Sequence, residues 1–157
     1  DPAKWPRYHA ALLAPEVITA VASPAFVESR GHATTPEELL KLPLIHLEEP
    51  VRAACDWPEW FASAGVRYPA QARRLAINDY VLVIQAVLAG EGVALGWRHL
   101  IDGQVRSGAL VTVGGHVLRT NDAFHVVWPR SRELNGPARR VRDWLVEEGR
   151  VSREDAA

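Results

Sequence analysis

Short apolar, β-branched runs alternate along this chain with stretches that carry helix start and stop signals. That alternation constrains the fold more than any other feature, because each short strand has to bury its faces against the helices beside it. Residues 17–22 form a β-branched run halted by Ser23 and Pro24, and residues 25–30 predict a short helix ended by Gly31. Thr35, Pro36 and Glu38 predict a capping box with proline at the first helical position. The hydroxyl accepts from the third amide while the carboxylate reaches back. Leu39, Leu40 and Leu42 follow, and Pro43 ends the helix. Residues 44–47 predict a buried strand ending near His46. Asp56 and Glu59 repeat the start signal for a helix that closes at Gly65.

Arg73 to Ile77 predicts a further strand. Asn78 and Asp79 then cap an apolar stretch, residues 80–89, whose β-branched residues alone suggest a strand. Its length, its cap and Gly90 just past its end predict a buried helix instead. Residues 93–95 predict a strand, 98–106 an irregular helix closed by Ser107 and Gly108, and 110–113 and 124–128 two separate strands. Ala138, Val141, Trp144 and Leu145 fall at helical spacing, with Arg139, Arg140, Arg142 and Asp143 on the other side. Gly149 is expected to cap this last helix, leaving 151–157 as a polar tail. Strands alternating with helices imply an α/β domain with a mainly parallel sheet.

Composition narrows the function classes. Hydrophobic residues at 48% and charged residues at 24% exclude a disordered tail or a collagen-like rod. A formal net charge of −1 makes the chain by itself a poor ligand for nucleic acid. No apolar run reaches the roughly 18 residues that a membrane helix needs. Cys55, the single cysteine, excludes an intrachain disulfide and fits a reducing compartment, so a cytoplasmic location is expected. There is no methionine, and the opening residues from Asp1 to Trp5 carry no strand or helix pattern. The chain reads as a piece of a longer protein.

Catalytic and cofactor signatures are missing. The six histidines, at 9, 32, 46, 99, 116 and 125, include no pair at helical ligand spacing. No nucleophile elbow and no paired-cysteine motif occurs. Gly90, Gly92 and Gly96 imitate a dinucleotide fingerprint, but they follow a helix and the third glycine is one residue too far on. They read as a helix end and a tight turn into a strand. Cys55 reads as a packing residue rather than a nucleophile. No enzyme activity, cofactor or metal is expected.

A longer pattern carries more. A strand runs into Ser23 and Pro24. The capping box at 35–38 leads to Leu42, Pro43, Leu44, Ile45 and His46, and then to Asp56, Trp57, Pro58, Glu59, Trp60 and Phe61. Asn78, Asp79, Ile84, Gln85 and Ala86 precede the turn of residues 89–96. Gly108 to Val111, the strand ending Val127, Trp128 and Pro129, and Asp143, Trp144 and Leu145 complete the order. Over residues 8–149 this resembles the effector-binding region of LysR-type transcriptional regulators, in particular the branch of glycine-cleavage and β-lactamase activators.

The resemblance implies an α/β fold like type 2 periplasmic binding proteins: two lobes, two crossover strands and a ligand cleft between. Lobe two would be complete and lobe one partial. Residues 1–21 would be the end of lobe one and the first crossover, 22–121 lobe two, and 122–150 the return crossover and last helix of lobe one. A winged helix-turn-helix, a linker helix and the first units of lobe one would precede Asp1, so operator DNA would be bound only through that missing domain. The expected activity is regulation by a small-molecule effector. A solute-binding protein serving transport shares the fold and is the alternative. A homo-oligomer is expected, with non-native association or exchange of the last helix where lobe one is incomplete. No membrane partner is expected.

In such folds ligands sit at strand ends and helix starts. The resemblance places effector contacts at Ser23 and Pro24 after the first crossover, His46 at its strand end, Ile77, Asn78 and Asp79 at a helix start, and Trp97 after the glycine turn. Asp79 already opposes the positive end of its helix, and an indole face at Trp97 suits a cation. An effector with a positive group, an amino acid or quaternary amine, is therefore expected rather than a simple dicarboxylate.

Overall fold

A computed structural model of the chain describes residues 5–48, 55–69 and 75–154. The cap signals of the sequence are met locally. Ser23 accepts from the Phe26 amide and opens α1 (Pro24–Arg30), and Gly31 closes it at φ 89°. Thr35 and Glu38 form the reciprocal capping box of α2 (Pro36–Leu39). Glu38 accepts from the Thr34 amide at 2.6 Å and the Thr35 amide at 3.3 Å. These bonds, that of Thr34 foremost, hold its carboxyl below the usual range. Asp56 caps α3 (Trp57–Ser63) through the Glu59 amide, and Asp79 caps α4 (Tyr80–Leu88) through the Leu82 amide. The apolar stretch after Asp79 is thus a helix, as its cap and Gly90 predict.

Five strands accompany six helices among the described residues: β1 (Tyr8–Ala22), β2 (Ile45–Leu47), β3 (Leu75–Ile77), β4 (Ala94–Trp97) and β5 (Val111–Pro129). The remaining helices are α5 (Arg98–Arg106) and α6 (Gly136–Glu154). The expected strand start at Arg73 lies outside the described residues.

The chain divides into two compact units. In the unit Ile18–Leu118, β1 pairs antiparallel with β4, with Ile18 opposite Trp97 and Val21 opposite Ala94. β2 pairs parallel with β3, with His46 opposite Ala76 and Leu47 opposite Ile77. A parallel bridge between Leu44 and Val93 brings β4 alongside β2, through Ile45 N to Val93 O at 2.8 Å and Val93 N to Pro43 O at 3.0 Å. The expectation of a mainly parallel sheet therefore needs correcting. Among the described residues only the short β2, β3 and β4 run together, and the long β1 runs against β4. Direction is not written in a strand's own residues; it follows from which neighbours it meets.

Val21, Ile45, Val83, Ile84, Val87, Ala94, Ile101 and Leu110 form one buried cluster of this unit. Trp57, Trp60 and Phe61 form a second, aromatic one, with ring centroids 5.3–5.6 Å apart. The Trp57 indole donates to the Ile45 carbonyl at 2.9 Å and ties α3 to β2.

In the other unit, Asp1–Val17 with Arg119–Ala157, Arg130 N donates to Arg7 O at 2.9 Å and Thr120 Oγ1 to Glu16 Oε2 at 2.7 Å. The central strand of the order β4-β1-β5 is thus flanked by β5 running in the opposite sense. Two further expectations change. The strands foreseen at 110–113 and 124–128 are one strand, β5, of 19 residues. Gly114 and Gly115 lie within it at φ 77° and 59°. A side chain there would collide with Leu39 and with the Thr34 carbonyl, so the glycines let β5 pass α2 rather than stop it. Gly149 does not cap α6, which continues to Glu154. Gly149 is buried, and its bare Cα lets the helix backbone lie against the Leu13 carbonyl.

Candidate functional site

Because β2, β3 and β4 are parallel, their carboxyl ends share one edge of the unit. His46, Ile77, Asn78, Asp79 and Trp97 all belong to that edge. His46 is buried in β2, and its Nε2 lies 3.1 Å from the Tyr68 hydroxyl. Ile77 ends β3, where its carbonyl accepts from the Glu48 amide at 2.9 Å. Asn78 and Asp79 are exposed, and Asp79 Oδ1 accepts from Leu82 N at 3.1 Å. Trp97 ends β4 and is the cap residue of α5, whose start carries no side-chain cap.

Ser23 and Pro24 are not part of this edge. β1 is antiparallel to β4, with Ile18 beside Trp97. Ser23 lies five residues beyond Ile18, roughly 16 Å along the strand at about 3.3 Å per residue. It sits instead near Gly90, where an added side chain would come within 3.8 Å of its hydroxyl. Strand direction thus separates Ser23 and Pro24 from the edge that holds the other expected contacts. Ser23 caps α1 and Pro24 fills its first position.

The residue that sequence reasoning missed is Tyr80. Its hydroxyl accepts from the Trp97 amide at 3.1 Å, and its ring meets the Trp97 ring edge to face at 5.3 Å. It therefore joins the start of α4 to the start of α5. Burial is the main cause pushing its phenol up to about 12, with the Trp97 amide pulling the other way. A phenol in the first turn of an otherwise apolar helix needs a partner when buried, and that was the available signal.

Trp97 is only 5% exposed. With Tyr80 against it and His46, Cys55, Trp57, Val83 and Leu95 around a shared cavity, its face is not open to an incoming cation. That cavity measures about 10 Å³, room for about one water. The Cys55 thiol, on the same wall, donates to the Asp56 carbonyl at 3.6 Å. On this edge Asn78 and Asp79 are exposed, and the start of α5 carries no side-chain cap. Among the described residues no group of three His, Cys, Asp or Glu could hold a metal ion, and no helix is long and apolar enough to cross a membrane.

The family profile described as LysR substrate binding domain matches residues 1–150. The glycine cleavage system transcriptional activator of Escherichia coli K12 is 25% identical over 150 residues, covering 96% of this chain and 48% of that protein. The HTH-type transcriptional regulator TrpI of Pseudomonas aeruginosa is 31% identical over 137 residues, covering 87% of this chain and 45% of that protein. The chain thus spans about half the length of the curated relatives it matches. Among solved structures, the effector domain of the regulator AmpR of Pseudomonas aeruginosa superposes with a TM-score of 0.73 at 23% identity, covering 98% of this chain and 71% of that one. The CrgA regulatory domain of Neisseria meningitidis gives 0.66 at 21%, covering 92% and 70%. The fold is therefore the α/β, type 2 periplasmic-binding-protein-like fold of such domains.

Proposed function

This chain belongs to the LysR substrate-binding domain family, and from that premise we propose that it is the sensory part of a transcriptional regulator rather than an enzyme. On this reading a small metabolite binds at the shared edge of β2, β3 and β4. The observation that carries it is the meeting of two helix starts there, linked through Tyr80 and Trp97. The unit Ile18–Leu118 corresponds to lobe two, and the other unit contributes the crossover ends and last helix of lobe one. The exposed Trp5, Tyr8, Leu12 and Trp144 are then surface that the rest of lobe one covers in the whole protein. Binding controls an N-terminal DNA-binding domain by favouring one arrangement over another, which requires different effector affinity in the two. The whole regulator works as a homo-oligomer in the cytoplasm.

The edge suits an amino acid. Asp79 presents an exposed carboxylate to an ammonium group, and the uncapped start of α5 presents amides to a carboxylate. One relative carries glycine cleavage in its name, in keeping with that class. With the indole closed off, a quaternary amine without a carboxylate fits less well. Calorimetric titration of the full-length regulator with free amino acids and with dicarboxylates tests this. Asp79→Asn keeps a good cap while removing the charge. It is expected to weaken amino-acid binding about tenfold, or about 1.4 kcal/mol, with the melting temperature unchanged. Binding of dicarboxylates alone, or equal affinity in the variant, would contradict the reading.

A further inference from the structure

The unit Asp1–Val17 with Arg119–Ala157 holds a concavity of its own, about 440 Å³, far larger than the cavity beside His46. Its walls include His9, Trp128, Arg130, Arg132, Arg139 and Arg142, and among the described residues Glu133 is the one carboxylate lining it. Four guanidinium groups thus face one carboxylate, in a chain whose net charge is −1.

Their partners leave most of that charge uncompensated. Arg130 Nε donates to the Tyr8 carbonyl at 3.0 Å, and an Arg139 amino group to the Leu134 carbonyl at 3.3 Å. Both acceptors are neutral, so they hold the side chains in place and cancel no charge. Among the described residues Arg142 alone of the four is ion-paired, with Asp143, and its guanidinium lies 5.1 Å over the Trp128 ring. Among the described residues Arg132 has no ion pair or hydrogen bond. The His9 ring stacks on Trp128 at 5.4 Å and 29°, so the two rings form one aromatic element of the wall. The 19-residue α6 starts at its rim, and Asn135 occupies one of the first amides, that of Ala138. The positive end of that helix adds to the arginines.

We propose that this pocket is a binding site for a small organic oxyanion, a carboxylate or phosphate on an aromatic body that packs at the edge of the His9–Trp128 pair. Guanidinium forks match such groups bidentately, and the aromatic wall supplies the apolar contact. The volume is that of small-ligand pockets. A concave pocket of this size admits a metabolite rather than the convex backbone of a duplex. The site is separate from the amino-acid edge and does not depend on it.

Benzoate, phenyl phosphate and inorganic phosphate, titrated into the full chain by calorimetry with tryptophan fluorescence alongside, test the proposal. One of the two aromatic anions is expected to saturate at one per chain, and the tighter of them identifies the anionic group. Inorganic phosphate is expected to bind at least tenfold more weakly, for want of the Trp128 contact. Arg132→Ala breaks no internal bond, so it is expected to fold normally and to lose at least tenfold in affinity. Trp128→Leu is expected to remove the preference for aromatic anions. Non-saturating uptake of both aromatic anions, unchanged affinity in Arg132→Ala, or saturation only by duplex DNA would overturn it.

Discussion

Replacing Tyr80 by phenylalanine takes one oxygen out of the joint between α4 and α5. The Trp97 amide, which donates to that oxygen at 3.1 Å, loses its acceptor in a place where Trp97 is 5% exposed. A buried amide left unpaired costs about 1–3 kcal/mol, while the edge-to-face packing of the rings is retained. At roughly 2–4 °C per kcal/mol for a chain of this size, the melting temperature at pH 7 falls by about 2–12 °C. A second signature separates this cause from general loosening. Burial pushes the Tyr80 phenol up to about 12, from an ordinary value of 10.0. Between those two pH values the folded chain keeps a proton that the unfolded chain has lost. The Tyr80 contribution is therefore complete below about pH 10 and disappears as pH rises toward 12. That loss is about 2–3 kcal/mol, and the Tyr80→Phe variant cannot show it. Urea unfolding of both proteins at intervals from pH 7 to 11.5 measures the gap. It is expected to be widest at neutral pH and to close above pH 10. Equal stability at pH 7, or a gap that stays constant with pH, would refute the reasoning.

Other perturbations follow from the same contacts. The Glu38 carboxyl is held below its ordinary 4.5 by the amides and hydroxyl of its capping box. Its stabilising share is present above that value and is lost as pH falls through the lower folded-state value. Glu38→Gln is therefore expected to flatten the acid limb of a melting-temperature profile between pH 5 and 2, and an unaltered limb would count against the box. Gly149→Ala gains about 1 kcal/mol of helix propensity but drives a methyl group into the Leu13 carbonyl, at a cost of about 1–3 kcal/mol. A net loss of up to about 2 kcal/mol in urea unfolding is expected, and a stabilised variant would mean that Gly149 is a helix end after all.

What the sequence revealed, it revealed through local chemistry. Thr35, Asp56 and Asp79 each cap the helix that their spacing announces, because a cap needs only its own next three residues. The helix after Asp79 could be told from a strand for the same reason. What stayed hidden depends on partners distant in sequence. Gly114 and Gly115 resemble a strand break until α2 is seen packed beside them. Gly149 resembles a cap until Leu13 lies under it. The direction of β1 carries Ser23 to the far end of the sheet, whereas His46, Asp79 and Trp97 reach one edge because their strands run together. Trp97 ends β4 at that edge, and only its neighbour Tyr80 shows that its indole face is taken.

The central claim, a metabolite held where α4 and α5 begin, is tested most directly by mapping backbone amide shifts of the full chain as free amino acids are added. The account predicts saturable shifts concentrated at Ile77, Asn78, Asp79, Trp97 and Arg98 for at least one amino acid. Shifts confined to residues elsewhere, with those five amides unmoved across the whole panel, would contradict it.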